Sequence, residues 1–381
     1  MNFELTEEQR LVKEMIREFA KNEVEPRAKS LEEKSEFPEE IMNKLSDLGI
    51  LGMSVPQEFG GIKTDFLSNI VTIEEISRVL PSLAVIISVH CSLFCYSVNK
   101  YGTSAQKKKY LPRAAAGEIL GAFSLTEPGA GSDVTGIQTT ARKKGDQYIL
   151  NGTKAWVTNG NNAQAFILFA QTEKDQTSQK LSVFILDRDT PGFQVSKIEK
   201  KMGLHASPTA EIVLDNCSLP QENLLGEEGM GAKIALHCLD VSRIGIAAQA
   251  VGLAQRALDE SIFYSRQRQA FDQNISDFQA IQFMIADMST LLEASRWLTY
   301  KAATLFDKEK PFTREAAQAK LFSTEAANKI VYSSLQIHGG YGYSREFLIE
   351  QLYRDARVLT LYEGTSEIQR IVISRSLLQG K

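Results

Sequence analysis

The chain reads as an α+β protein in three parts. An N-terminal helical domain covers residues 1–120, a middle antiparallel β-barrel or sandwich domain covers 121–228, and a C-terminal four-helix bundle covers 229–381. Three observations predict this order. Apolar residues recur at helical spacing through the first third. Short apolar runs separated by polar loops fill the middle, with no helical span between them. Two long stretches without proline dominate the rest. A length of 381 residues leaves room for two or three such units.

Each element has a local reason. Thr6 and Gln9 stand at capping-box spacing and start a helix. Leu11, Val12, Met15, Ile16, Phe19 and Ala20 are assigned to one face, and Pro26 is expected to end the run. Pro38 opens a further helix and Gly49 closes it. Residues 70–99 are rich in apolar side chains and should be core. In the middle, "DQYILNGTKAWVTNG" predicts two short strands joined by a hairpin turn at Asn151-Gly152. "AFILFAQ", "LSVFILD" and "AEIVLDN" predict three more strands. "IALHCLDVSRIGIAAQAVGLAQRALDESIFYSRQR" and "DFQAIQFMIADMSTLLEASRWLTYKAATLF" are long helices of the bundle.

Composition narrows the function. A net charge of −4 provides no basic field for nucleic acid or an anionic membrane. No apolar run reads as long enough to span a bilayer, so no membrane is expected. "MNFELTEEQR" lacks the basic-then-apolar layout of a signal peptide. Cys91, Cys95, Cys217 and Cys238 match no zinc spacing and read as buried thiols of a reducing compartment. His90, His205, His237 and His338 are scattered and form no H-E-x-x-H pattern, so no metal is expected.

Four stretches could carry chemistry. "TEPGAGSDVTG", residues 126–136, begins like a dinucleotide fingerprint but lacks its third glycine and its strand–helix–strand setting. Its open backbone, with Thr126, Ser132 and Asp133, could donate N–H groups to a ring or a phosphate, or be a plain interdomain loop. "LQIHGGYGYS", residues 335–344, puts Gly339 and Gly340 where a helix could end or a ligand could approach. Arg266, Arg268 and Phe271 close a long helix, as a solvated face or a phosphate clamp. In "LYEGTSEIQR", residues 361–370, Glu363 precedes Gly364 just ahead of a terminal helix. Ser366 and Gln369 have capping-box spacing, so Glu363 is either part of a helix start or a base held away from water.

Taken together these segments resemble the acyl-CoA dehydrogenase family over essentially the whole chain. The resemblance rests on "LTEPGAGSD", "NGTKAWVTNG", "RQRQAF", "DFQAIQFMIADM", "QIHGGYGY" and "LYEGTSEIQR", six motifs in the family's order and spacing. It implies FAD as cofactor, an acyl-CoA substrate, electron-transfer flavoprotein as acceptor, and a homotetramer built as a pair of dimers. It places the flavin ring against Phe123, Leu125, Thr126, Trp156 and Thr158, and lets Ser132 touch both cofactor and CoA. It makes Arg268, with Phe271, the clamp on the pyrophosphate of a neighbouring subunit's FAD. Gln279 becomes the adenosine-side glutamine, Gln336 and Gly340 a second cross-subunit contact, and Thr365 and Glu367 neighbours of the cofactor. Asp240 and Arg243 would hold the CoA moiety, Tyr362 and Gly364 would line the approach, and Glu363 would be the base. Asp272 departs from the family pattern, which carries glycine there.

The implied reaction is α,β-dehydrogenation to a trans-2-enoyl-CoA, in the short-chain (butyryl-CoA) branch that "RIGIAAQAVGLAQ" resembles. Gln249 falls at the pocket floor in that comparison and Leu359 on the approach to Glu363. A carboxylate of ordinary pKa is a poor base for a thioester's α-proton, so water must be excluded around it. An acyl-CoA oxidase on the same fold, with oxygen as acceptor, is the alternative. The implied location is a bacterial cytoplasm, or the mitochondrial matrix after loss of a transit peptide.

Overall fold

The structure, a computed structural model, describes residues 4–134, 136–172 and 180–379; Thr135 of the glycine-rich stretch lies outside the described residues. The first part is built from α1 (Glu7–Phe19), α2 (Glu25–Lys34), α3 (Glu39–Asp47), α4 (Phe66–Ser77), α5 (Pro81–Ser88), α6 (Tyr96–Tyr101) and α7 (Ser104–Ala115). The Thr6–Gln9 capping box forms in both directions. Pro26 does not end the run. A π-turn over Ala20–Val24 joins α1 to α2, Glu25 N–H donates to Ala20 O, and Pro26 falls in the first turn of α2. A missing N–H costs nothing in a first turn. The buried row is Ile16, Ala20 and Val24, whereas Leu11 and Met15 are 59% and 39% exposed. At about 100° per residue Leu11 lies roughly 140° round the helix from Ile16. Residues 70–99 are core, as expected: Ile70, Ile73, Ile86 and Ile87 pack on Ile244, Ala247 and Ala303.

The middle part is one curled seven-stranded sheet. Its strands are β1 (Gly121–Ser124), β2 (Thr140–Lys144), β3 (Gln147–Thr158), β4 (Ala165–Thr172), β5 (Lys180–Asp187), β6 (Phe193–Ile198) and β7 (Thr209–Pro220). They run in the order β1-β4-β2-β3-β7-β6, with β5 on β4. Asn151-Gly152 is not a hairpin turn. It lies inside β3, where the register against β7 shifts between Leu150 and Gly152. The glycine is needed there because a Cβ would sit 2.4 Å from Thr139 Oγ1. The hairpin is at Gly145-Asp146, where Lys144 faces Gln147.

The sheet is mixed rather than wholly antiparallel. β1 runs parallel to the first half of β4 and β2 parallel to its last two residues, while β5 pairs antiparallel along all of β4. Since β5 occupies one edge of β4, β1 and β2 share the other. They act as one interrupted strand, and the glycine-rich stretch is the excursion between its halves. Along β4, Phe166, Leu168 and Ala170 fill the curl with Tyr148, Phe184 and Ile212. The alternate residues Ile167 and Phe169 face the helices, the period-2 division a two-sided strand requires.

The third part holds α8 (Gly231–Gln267), the two-residue strands β8 (Gln269–Ala270) and β9 (Gln273–Asn274), α9 (Gln279–Asp307), α10 (Thr313–His338), α11 (Leu348–Val358) and α12 (Ser366–Gln379). α8 is the central helix: Ile244 and Ala247 meet the first part, and Ile246, Ala250 and Leu253 meet the bundle. Gly252 lets α4 approach, since a Cβ would lie 2.1 Å from Glu74 O. The segments Pro81–Tyr101 and Gly231–Gln267 are in fact long and apolar enough to cross a membrane by length and composition. That corrects the reading that no run is long enough. In the fold they are 94% and 83% buried by protein, and a helix buried on all sides carries no polar face to lower its apolarity. The β8–β9 turn puts Phe271 at φ 54° and Asp272 at φ 61°. That accounts for the family's glycine at position 272, and Asp is among the few other residues that adopt this region readily.

Candidate active site

The site is built on the turn between α11 and α12. Glu363 and Gly364 are consecutive left-handed residues, at φ 54° and 88°. Thr365 Oγ1 accepts from Ile368 N–H (3.4 Å), so Thr365 caps α12. The expected Ser366–Gln369 box is not made. Ser366 is the first helical residue, its Oγ is buried without a partner, and Gln369 Nε2 donates instead to Glu363 O (3.2 Å) and Gly364 O (2.9 Å). Two cations join it. Arg243 Nε donates to Glu363 O (3.3 Å) and Lys320 Nζ to Gly364 O (2.8 Å). A backbone pair in a costly conformation is thus held by four side-chain bonds from α8, α10 and α12.

The Glu363 carboxyl caps nothing. Its Oε2 is buried without a hydrogen-bond partner. Burial pushes its pKa up to about 7, against the pull of Arg243, Ser242 and Lys320. Ser242 lies beside the carboxylate, yet no bond of ordinary geometry links the two, because Ser242 Oγ is also buried and unpartnered. A buried, unpaired carboxyl is costly to ionise and therefore a stronger base than one in water.

Around it stand the other sequence-predicted residues. Arg243 is 3% exposed and its Nη1 binds Asp240 Oδ1 (2.5 Å), whose Oδ2 accepts from Thr313 Oγ1 (2.7 Å). Tyr362 Oη donates to Gln249 Oε1 (2.5 Å), and Gln249 Nε2 donates to Pro81 O (2.8 Å). This chain of bonds seats a wholly buried polar side chain, Gln249, behind the turn. Leu359 is also fully buried. Thr365 and Glu367 follow directly on the same turn.

The edge of the sheet carries the residues matched to the flavin ring. Phe123 on β1 packs on Phe169 at 4.9 Å between centroids. Leu125 O accepts from Lys154 Nζ (3.1 Å), and Thr126 O from Ala155 N–H (2.9 Å). The excursion is closed at its base by Glu127, which takes Lys154 Nζ (2.8 Å) and the N–H groups of Gln138 (2.7 Å) and Thr139 (3.0 Å). A second register shift, between Lys154 and Val157, holds Trp156 at φ 58° and leaves it 58% exposed. Thr158 ends the strand. Ser132 lies exposed beside Gly129 and Gly131, where an added Cβ would meet nothing within 4 Å. Open backbone beside a presented indole fits a flat ring with polar edges, so these residues fit a flavin.

The remaining residues lie elsewhere. Arg268, Phe271, Gln279, Gln336 and Gly340 are all exposed, and the Arg268 guanidinium sits 5.6 Å over the Tyr341 ring. From Arg243 to Arg268 the helix rises about 37 Å, and from Lys320 to Gln336 about 24 Å. Arg268 and Gln336 thus stand far along α8 and α10 from Arg243 and Lys320, the residues that hold the Glu363 turn.

Sequence reading missed Lys320, Ser242 and the Lys154–Glu127 pair, and gave Gln369 a capping role in place of its bonds to the Glu363 and Gly364 carbonyls. Lys320 had a signal: a lone cation amid Ala316, Ala317, Ala319, Ser323 and Thr324, a face too small for anything but close packing.

Comparison with known proteins agrees with this architecture. Residues 6–118, 122–217 and 229–378 match the family profiles described as acyl-CoA dehydrogenase N-terminal, middle and C-terminal domains. An acyl-CoA dehydrogenase of Bacillus subtilis is 45% identical over 376 residues, 99% of each chain. A short-chain specific acyl-CoA dehydrogenase of Clostridium acetobutylicum is 42% identical over 379 residues, all of both chains. Butyryl-CoA dehydrogenase from Megasphaera elsdenii superposes with a TM-score of 0.97 at 41% identity, covering 99% of this chain and 100% of that one. A structure from work on the electron transferring flavoprotein of Acidaminococcus fermentans gives 0.97 at 44%, covering 100% of both. An acyl-CoA dehydrogenase complexed with FAD from Bacillus anthracis gives 0.93 at 35%, covering 99% of this chain and 69% of that one.

Proposed function

The chain belongs to the acyl-CoA dehydrogenase family, and on that footing we propose that it converts short-chain saturated acyl-CoAs to trans-2-enoyl-CoAs with Glu363 as base. One observation carries the reading. Glu363 offers a buried, unpartnered carboxylate oxygen whose pKa is pushed to about 7, the state a general base needs near neutral pH. The Glu363 N–H, free of backbone bonds among the described residues, is a donor for the thioester oxygen as enolate character develops. Glu363 takes the α-proton, and glycine at 364 lets Gln369 close on the turn, since an added Cβ would lie 2.7 Å from Gln369 Nε2. FAD, when bound, supplies the acceptor for the β-hydride, and Phe123, Leu125, Thr126, Trp156 and Thr158 would hold its ring. Asp240 and Arg243 would meet the CoA side, with Ser132 at the loop tip. Gln249, tied to Tyr362, closes the far end and limits the acyl chain.

The exposed cluster at Arg268, Phe271, Gln279, Gln336 and Gly340 serves a second subunit's cofactor in this reading. Its distance from Glu363 and its exposed aromatic side chains support a homotetramer whose sites are completed across an interface. Electron-transfer flavoprotein is the proposed acceptor, supported by the 0.97 match to a structure from work on such a protein. Four free buried thiols support a reducing compartment, a bacterial cytoplasm or mitochondrial matrix. The test is a rate survey of acyl-CoAs from C4 to C16 with the yellow holoenzyme, under argon with electron-transfer flavoprotein and under air without it. Rapid turnover under argon with C4 to C6 chains is expected. Turnover that needs oxygen would make the protein an oxidase instead.

A further inference from the structure

Lys320 has no part in the reading above, yet it is wholly buried in the bundle. A lysine is almost never fully buried without a partner. Among the described residues its Nζ has one hydrogen-bond acceptor, Gly364 O at 2.8 Å, although an ammonium carries three donors. A buried cation bonded only to a carbonyl is poorly compensated, and an apolar side chain of similar volume would usually serve the fold as well. What compensates it is charge. Burial is the largest effect on Lys320 and, with Arg243 on α8, brings its pKa down to about 7; Glu363 is the strongest of the anions that favour its ionised form, with Glu325 on its own helix and Glu367 on α12 behind it. The relation is mutual, because Lys320 also favours the ionised form of Glu363.

Geometry gives the residue a second task. Glu363 and Gly364 sit in the left-handed region together, and Glu363 is a non-glycine residue there, so the turn must be held from outside. Gln369 and Arg243 hold the Glu363 carbonyl, and Gln369 and Lys320 hold that of Gly364. Lys320 is the contribution of α10, and through it the bundle fixes the direction in which the carboxyl points.

We propose that Lys320 is a positioning residue for Glu363, clamping the 363–364 turn and supplying, with Arg243, the positive charge that favours the ionised carboxylate. The proposal rests on Glu363 being the base. Three substitutions separate its two parts. Lys320→Met removes both the donor and the charge, Lys320→Gln keeps a donor without charge, and Lys320→Arg keeps both. Each holoenzyme is mixed with butyryl-CoA under argon, and the rate of flavin bleaching is followed from pH 5.5 to 9 by stopped flow. Removing a cation from beside a carboxyl raises its pKa, so the acid limb of the rate profile should move up by about one pH unit or more in the Met and Gln variants. It should return in the Arg variant. The plateau rate should fall most in the Met variant, by about 10²-fold, because the turn is no longer held. A purely structural lysine would lower rate or stability and leave the limb where it was. An unmoved limb in the Gln variant, with flavin bound, overturns the proposal even if the Met variant does not fold. Failure of the parent enzyme to bleach with any acyl-CoA would instead overturn the dehydrogenase reading.

Discussion

Glu363→Gln should make the protein more stable and nearly inactive, and the two effects share one cause. The carboxyl titrates at an ordinary 4.5 when exposed and at about 7 in the fold. The fold thus favours the protonated form. Its stability contribution is intact below pH 4.5 and is lost as the pH climbs through 7. When both states are ionised the difference amounts to about 3 kcal/mol. Glutamine matches the shape and loses nothing with pH. The variant should therefore equal the parent near pH 4.5 and exceed it by about that much at pH 8. Urea unfolding of the FAD-loaded enzymes at one fixed protein concentration measures this, since cofactor and oligomer both shift apparent stability. Flavin bleaching by butyryl-CoA should fall by about 10²–10⁴-fold, the usual worth of a general base, while FAD and acyl-CoA binding stay. A stability gap that is flat from pH 4.5 to 8, or bleaching at near the parent rate, would refute the argument. Glu363 would then not be the base, which would lie elsewhere.

Other substitutions test other parts of the site. Arg268→Ala should release FAD and loosen the oligomer on dilution, by the roughly 1.5–3 kcal/mol of a charge-assisted hydrogen bond, without loss of helical circular dichroism. Full occupancy through gel filtration would show that Arg268 is only a solvated cation. Gln249→Ala opens the floor behind Tyr362 and should raise the hexanoyl-to-butyryl ratio of kcat/KM by about ten-fold, the scale of a methylene or two in an apolar pocket. An unchanged ratio would put the floor elsewhere. Lys154→Met strands Glu127 at the base of the glycine-rich excursion and should cost about 3–5 kcal/mol, as breaking a buried pair does. Adding Glu127→Gln, which removes the stranded charge and keeps an acceptor for the Gln138 and Thr139 N–H groups, should recover part of it, and a single variant within about 1 kcal/mol of the parent would contradict the pairing.

The three-part order and the core at residues 70–99 were legible because each rests on a local pattern. Helical spacing and apolar runs survive in one dimension. What misled was punctuation whose meaning depends on distant chain. Asn151-Gly152 carries a hairpin signal, but Thr139 crosses beside Gly152 and needs it bare, while the turn falls on Gly145 at φ 64°. Pro26 reads as a stop, but the π-turn before it absorbs the lost bond. Ser366 and Gln369 have box spacing, but the helix begins one residue early for it, and Gln369 is drawn to the Glu363 and Gly364 carbonyls. Lys320 lies 43 positions from Glu363 in the chain, and only the packing of α10 against the last turn brings them together.

The charges around the base explain why it can be buried at all. Glu363 and Asp240 bring carboxyls, Arg243 and Lys320 cationic groups: Arg243 binds Asp240 and attends Glu363 with Lys320, whose own pKa burial brings down to about 7. Burial alone would keep Glu363 protonated far above neutral pH, and cations alone would hold it ionised but weak. Set against each other they leave it at about 7, where half is base and its affinity for a proton is still high. In the proposed reaction the thioester oxygen gathers negative charge beside the Glu363 N–H as the α-proton leaves. That balance is why Lys320 belongs to the site, and why loss of its charge should appear in the pH profile before it appears in the fold.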